Sequence, residues 1–307
     1  MRVLVTGGAG FIGSNFVHHL IDETDYDIVT LDALTYAGSI DNLSGVLDDP
    51  QHEFVEGDIR DSTLVRDLVG SCDVVVNFAA HSHVDRSIDG VEPFVSVNID
   101  GTRTLLDAAK DADIDRFLQV STDEVYGEIL EGTFSEADPL DPRNPYAATK
   151  ASADLLAQSY ETTYGVPVLL TRTCNNYGPR QHPEKLIPKF ITRAQNGDSL
   201  PLYGDGSNVR EWIFVRDNCR AIDRVLHDGS IGEIYNIGSG EEMTNREVAQ
   251  AIIELVGASD DLVEFVDDRP GHDQRYALDT TKVEQLGWEP TWSFREGLAK
   301  TVKFYTD

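Results

Sequence analysis

Val3-Leu4-Val5-Thr6-Gly7-Gly8-Ala9-Gly10-Phe11-Ile12-Gly13 carries a short apolar run into a cluster of glycines and then into a helical pattern. The run reads as a buried strand, Val3–Thr6, and Phe11–Ile21 reads as the helix that follows it. Gly8, Gly10 and Gly13 make a G-x-G-x-x-G spacing, and Gly7, Gly10 and Gly13 the overlapping G-x-x-G-x-x-G form. Alone the spacing is weak. Between a strand and a helix it predicts a dinucleotide site. Bare glycine backbone lets a pyrophosphate approach, and the helix start offers unpaired N–H groups and the positive end of a dipole. Asp32 ends the next strand, Ile28–Asp32, about twenty residues on, where a carboxylate accepts hydrogen bonds from a ribose diol and repels a 2′-phosphate. The expected cofactor is NAD rather than NADP, held by Gly7, Gly10, Phe11, Ile12, Gly13 and Asp32.

The same rhythm continues outward. Phe54–Glu56, Val74–Phe78, Phe117–Ser121 and Val168–Arg172 read as further strands, with helices near Thr63–Val69, Pro93–Lys110 and Tyr146–Thr163 between them. Strands alternating with helices predict an α/β fold, a Rossmann-type doubly wound parallel sheet. Asp58 and Ile59, after the third strand, suit an adenine contact. Phe78-Ala79-Ala80-His81-Ser82 follows the fourth, where Ala80 leaves room for the cofactor. His81 and His83 read first as loop histidines making local bonds. After Arg172 the rhythm breaks. Asn175–Arg180 and Tyr203–Arg210 have loop composition. Ile213–Leu226 and Glu233–Ile237 read as a helix and a strand returning to the main sheet. Thr244–Val256 reads as a helix, with Thr244 and Glu247 forming a capping box. The expected division is a NAD-binding domain of residues 1–172 plus about 212–238, and a smaller discontinuous C-terminal substrate domain of about 173–211 plus 239–307.

Composition narrows the class. The net charge of −29 disfavours nucleic acid and anionic membranes as partners. No stretch approaches the roughly 20 apolar residues of a membrane span, and the short apolar start lacks a signal-peptide plan. A cytoplasmic protein is expected. Cys72, Cys174 and Cys219 stand far apart and read as free buried thiols, and the histidines show no zinc spacing. Acidic residues are spread along the chain and arginine outnumbers lysine. The sharper reading is adaptation to a salt-rich cytoplasm, where screening makes the self-repulsion tolerable. The melting temperature is then expected to rise markedly from low to molar KCl; a flat or falling curve refutes the halophilic reading.

Tyr146-Ala147-Ala148-Thr149-Lys150 places Tyr146 and Lys150 on one helix face. An ammonium beside the phenol, with a cationic nicotinamide, favours the phenolate and predicts a base for a hydroxyl proton. Ser121-Thr122-Asp123-Glu124-Val125-Tyr126-Gly127 follows a strand end, where open α/β sheets bind ligands. Thr122 suits a substrate hydroxyl. The adjacent Asp123 and Glu124 exceed what simple alcohol oxidation needs, and paired carboxyls in different environments suit one acid and one base.

These segments together resemble the dTDP-glucose 4,6-dehydratases, extended short-chain dehydrogenase-type enzymes. The resemblance rests on residues 6–13, Asp32 with Thr35-Tyr36-Ala37-Gly38, Ala80–Ser87, Ser121–Gly127, the Tyr146–Lys150 pair, Asn175-Asn176-Tyr177-Gly178-Pro179 and Arg269-Pro270-Gly271-His272-Asp273. It runs nearly end to end, and Thr122-Asp123-Glu124 separates it from related 4-epimerases. The resemblance implies an internal redox cycle. Tyr146 deprotonates the sugar 4-hydroxyl as C4 hydride passes to NAD, and Glu124 removes the C5 proton. Asp123 protonates the departing C6 hydroxyl, and the hydride returns to C6. The product is a 4-keto-6-deoxy sugar nucleotide. Asn176 joins the cofactor residues. Ser82, Asn175, Glu184, Lys185, Leu186, Tyr203, Arg210, Asn245, Arg269 and His272 match substrate positions. Lys185, Arg210 and Arg269 would form a local cationic patch for the diphosphate. A homodimer through helices near Asn98–Lys110 and Lys150–Thr163 is also implied. Two other readings stay open from the residues: an NAD-dependent nucleotide-sugar 4-epimerase, which makes no use of Asp123 and Glu124, and a non-catalytic NAD-binding protein, against which the intact Tyr-Lys pair argues.

Overall fold

The computed structural model describes residues 1–306. Its elements in chain order are β1 (Arg2–Thr6), α1 (Phe11–Glu23), β2 (Asp27–Asp32), β3 (His52–Glu56), α2 (Ser62–Val69), β4 (Val74–Asn77), α3 (Val84–Asp89), α4 (Glu92–Phe94), α5 (Thr102–Asp111), β5 (Arg116–Thr122), α6 (Pro145–Tyr164) and β6 (Val168–Thr173). There follow β7 (Asn175–Tyr177), α7 (Leu186–Asn196), β8 (Leu200–Tyr203), β9 (Val209–Phe214), α8 (Val215–Asp228), β10 (Ile234–Ile237), β11 (Glu242–Thr244), α9 (Asn245–Val256), β12 (Val263–Val266), α10 (Thr281–Glu284) and α11 (Phe294–Thr306).

Seven parallel strands form the main sheet in the order β10-β6-β5-β4-β1-β2-β3. The order reverses between β1 and β4, and a cleft opens past the strand ends at that point, as open α/β sheets require. Period-two alternation sends Val3, Val5, Val74 and Val76 to one face, against Phe16, Val17 and Leu20 of α1 and Ile222 and Val225 of α8. Leu4, Val29 and Val75 face the other way, against Val65 of α2, Leu105 of α5 and Ala157 of α6. Both faces are covered, so the strands read as unbroken apolar runs.

Beyond β6 the chain builds a second layer. β11, β9 and β7 form a three-stranded sheet, and β12 pairs in parallel with β8. α7, α9 and α11 pack over them through Phe190, Ile191, Ile252 and Leu298. The expected loop Asn175–Arg180 therefore contains strand β7, and Tyr203–Arg210 touches β8 and β9. Those strands are three to six residues long and sit in small sheets, so Gly, Asn and Pro dominate their local composition. The expected helix at Ile213 starts at Val215 instead, because Ile213 and Phe214 finish β9. The Thr244–Glu247 capping box forms as expected, each side chain bonding the other's backbone N–H; such a cap contributes about 1 kcal/mol.

The helix expected over Pro93–Lys110 is not uniform. Val95–Gly101 is a π-helical stretch between α4 and α5. Gly101 fits because a Cβ there would lie 2.4 Å from the Ile59 side chain. The widened turns aim the buried Asn98 amide at His81, accepting from its N–H at 2.8 Å and donating to its carbonyl at 3.0 Å. Asn98 also donates to Thr149 Oγ1 at 3.0 Å. Local π geometry commonly serves a site in this way.

Candidate active site

Two open clefts meet at the ends of β1, β4, β5 and β6. The first is lined by Gly7, Gly10, Phe11, Ile12, Gly13, Asp32, Asp58, Ile59, Ala80, Tyr146 and Lys150, which unites the expected cofactor residues except Asn176. Its floor is backbone. Gly7 has φ +70°, and a Cβ on it would lie 2.6 Å from the Ala79 nitrogen; one on Gly13 would lie 2.3 Å from the Gly7 carbonyl oxygen. The turn closes only with glycine at both places. Gly10 caps α1 without a side chain, and the first turn holds no acidic residue. The helix start is therefore open to an anion.

Asp32 is anchored by N–H groups of Ala9 at 2.9 Å and Leu34 at 2.8 Å, one on each carboxylate oxygen. Gly38 lets the following loop approach, since a Cβ there would lie 2.7 Å from Asp32 Oδ1. Burial raises the Asp32 pKa while the N–H groups oppose the shift. Asp58 is gripped by the Arg60 guanidinium, which holds its carboxyl below the usual range. Burial keeps His81 and His83 below the usual histidine pKa. The His81 ring packs between Tyr36 and Phe94. The glycine cradle, open helix start and anchored carboxylate fit a dinucleotide.

The second cleft holds Ser82, Thr122, Asp123, Glu124, Tyr146, Asn175, Asn176, Lys185, Leu186, Tyr203, Arg210, Asn245, Arg269 and His272. It unites every expected substrate residue except Glu184. Glu184 lies outside both clefts, bound by the Arg86 guanidinium at 2.5 and 3.1 Å. Asn176 stands on this side, its amide spent on Thr173 Oγ1 at 2.9 Å and the Cys174 carbonyl at 3.0 Å. Lys185, Lys189, Arg210 and Arg269 are the cations that line the cleft. Lys185 Nζ donates to the Ser82 carbonyl at 2.8 Å, and burial lowers its pKa. Arg210 lies over the Tyr276 ring and donates to the Asp273 carbonyl at 2.8 Å. Arg269 pairs with Asp85 at 3.1 Å, leaving its buried Nε without a partner.

At the junction Asp123 is 2 % exposed. Its Oδ1 accepts from Thr122 Oγ1 at 3.1 Å and its Oδ2 has no partner. Burial first, then the Glu124 and Glu211 carboxylates, raise its pKa well above the ordinary value. These surroundings favour the protonated form of Asp123. Glu124 is half-buried and accepts from Asn144 Nδ2 at 3.0 Å. Asn144 also caps α6, its Oδ1 accepting from Ala147 N at 2.9 Å. One side chain therefore locks Glu124 to the helix that bears Tyr146 and Lys150.

The surroundings of Tyr146 oppose its ionisation. Burial and the charges of Glu124 and Asp123 raise its pKa well above 10, against the opposing Thr122 hydrogen bond. Lys150 Nζ donates to the Val120 carbonyl at 2.7 Å, and burial lowers its pKa to about 8. The lysine alone does not outweigh burial and two carboxyls, so activating the phenol needs a further cation beside it. Sequence reasoning missed the apolar wall of Phe190, Leu202 and Trp212. The helical spacing of Leu186, Ile187, Phe190, Ile191 and Ala194 was the available sign.

Residues 4–301 match the family model described as GDP-mannose 4,6 dehydratase. The low-salt glycan biosynthesis protein of the halophile Haloferax volcanii is 70% identical, over 99% of this chain and 98% of its own length. The dTDP-glucose 4,6-dehydratase of Streptomyces niveus is 50% identical, over 100% of this chain and 93% of its own. The crystal structure of a dTDP-glucose 4,6-dehydratase from Streptomyces venezuelae with NAD and dTDP bound superposes with a TM-score of 0.97 at 53% identity, covering 99% and 97% of the two chains.

Proposed function

This chain belongs to the GDP-mannose 4,6 dehydratase family, and from that premise we propose that it converts dTDP-glucose to dTDP-4-keto-6-deoxyglucose and water. The observation that carries this reading is Asp123, a buried carboxyl beside Glu124 whose surroundings favour its protonated form. A 4-epimerase needs no such pair. NAD, when bound, supplies an acceptor for hydride from C4 and returns it to C6. Tyr146 takes the C4 hydroxyl proton, with Lys150 behind it and Thr122 beside it. Glu124, steered by Asn144, takes the C5 proton once C4 is a ketone and returns a proton to C5 as the hydride reaches C6. Asp123 gives its proton to the C6 oxygen, which departs as water. Lys185, Arg210 and Arg269 hold the diphosphate, with Arg269 exchanging Asp85 for it. Ser82, Asn175, Leu186, Tyr203, Asn245 and His272 complete the sugar-nucleotide side; Glu184 acts through Arg86. Asn176 serves the nicotinamide end from the shared wall.

Residues 1–172 with about 212–238 form the cofactor unit in this reading, and about 173–211 with 239–307 the sugar-nucleotide unit. Pairing of β10 with β6 and packing of α8 on α1 support it; the cut at 212 falls inside β9. No described helix is long and apolar enough to cross a membrane. Cytoplasmic placement is part of the proposal, and so is a homodimer. Exposed Ile88, Val91, Val95, Leu155 and Tyr164 on the helices around α3–α6 support the dimer.

The test is incubation with dTDP-glucose carrying deuterium at C4. The 4-keto product should form with that deuterium at C6 of the same sugar. Deuterium retained at C4, with the C6 oxygen still present, favours the epimerase instead. Cofactor choice is checked separately. Asp32 predicts that nucleotide released from the purified protein is NAD and that NADP does not replace it; bound NADP overturns the assignment.

A further inference from the structure

Lys150 carries its charge in poor surroundings. It is 5% exposed, and its one hydrogen bond goes to the Val120 carbonyl. One turn further along α6, on the same face, stands Asp154, 0% exposed. Its Oδ2 meets Arg172 Nε of β6 at 3.0 Å, while the Ser121 hydroxyl lies beside the carboxyl. Arg172 is 2% exposed, donates to Tyr126 Oη at 2.9 Å and lies over that ring. Stability alone is a weak reason for such a buried ion pair, since apolar side chains of similar volume often serve as well.

We propose that Asp154 is a positioning residue for the Tyr146–Lys150 pair: it keeps the Lys150 ammonium charged against Val120, and Arg172 sets how much of the Asp154 charge the lysine feels. Burial pushes Lys150 down, and Asp154 is the charge that opposes the fall; burial also raises the Asp154 pKa, and Arg172 and Lys150 are the cations that oppose that rise. Asp154 is the charged group that acts on Lys150, from its own helix, where Tyr146 also stands; Arg172 of β6 pairs with Asp154, and Tyr146, His81 and His83 line the same cleft as Lys150. The π-helical stretch presents neutral Asn98. A lysine that loses its proton no longer helps Tyr146 act as a base. The inference rests on the proposed role of Tyr146 and Lys150, but not on which sugar reacts.

The test follows Lys150 in the full chain without substrate. Lysine labelled at Cε is titrated by NMR, and Lys150→Met identifies the resonance. Asp154→Asn should lower the Lys150 midpoint by about one unit or more. Arg172→Gln should raise it, and Asp154→Glu should stay near wild type. Asp154→Asn combined with Arg172→Gln removes both members of the ion pair, so that Arg172 is not left without a partner, and should still titrate below wild type. A purely structural ion pair moves the midpoint with neither substitution, or moves it the same way with both; either result overturns the proposal. If Asp154→Asn fails to fold, the double variant and Arg172→Gln decide it alone. The alkaline limb of kcat/KM should move to lower pH in the double variant as well.

Discussion

Turnover of dTDP-glucose should fall by about 10²–10⁴ in Asp123→Asn and in Glu124→Gln, the range expected for losing a general acid or base. The two losses should differ in kind. Glu124→Gln removes the group that takes the C5 proton, so solvent deuterium should no longer enter C5. Asp123→Asn leaves that exchange in place and stops departure of the C6 hydroxyl. Stability separates them from misfolding. In the folded state the Asp123 pKa is raised well above the ordinary value, so the folded form holds a proton that the unfolded form has lost. Stability then falls as pH rises from the unfolded pKa through the folded one. Asparagine has no ionisation to suppress, so Asp123→Asn should melt at or above the wild-type temperature at neutral pH. The same proton sets an alkaline limb on the wild-type rate, where Asp123 ionises and can no longer serve as acid. Near-wild-type dehydration by either variant removes the mechanism.

Gly13→Val should abolish retention of NAD and lower stability by about 1–3 kcal/mol, the usual cost of overpacking. The new Cβ would lie 2.3 Å from the Gly7 carbonyl and 2.9 Å from Gly8 Cα. Those neighbours are backbone and cannot rotate aside. The turn must open, and the N-terminal end of α1 moves off the line that a pyrophosphate needs. Calorimetry and analysis of nucleotide released on denaturation check both parts. Unchanged nucleotide content in a cooperatively folded Gly13→Val protein contradicts the cradle.

The first half of the fold was legible because its strands are buried on both faces and appear as plain apolar runs, as at Val74–Val76 and Phe117–Val120. The second layer was not. β7 is Asn175–Tyr177, three residues with two amides, and its strand character comes from β9, which is distant in sequence. The glycine turn and Asp32 were legible through local steric and charge rules. The state of Tyr146 was not, because its burial, and the field of Glu124 from a separate segment, oppose what the lysine spacing suggests. The placement of Glu184 outside the clefts was not legible for a related reason. Its sequence neighbour Lys185 enters the cleft, whereas Arg86, from across the chain, draws Glu184 away.

The pairing of β10 with β6 sets a condition on biosynthesis. β6 ends at Thr173, but its outer neighbour begins only at Ile234. A nascent chain that has completed the first six strands therefore exposes one side of β6 until some sixty further residues emerge. An open strand edge readily recruits another chain. Slow or interrupted translation between these points should send the product toward aggregates, even though most of the catalytic groups have already been made.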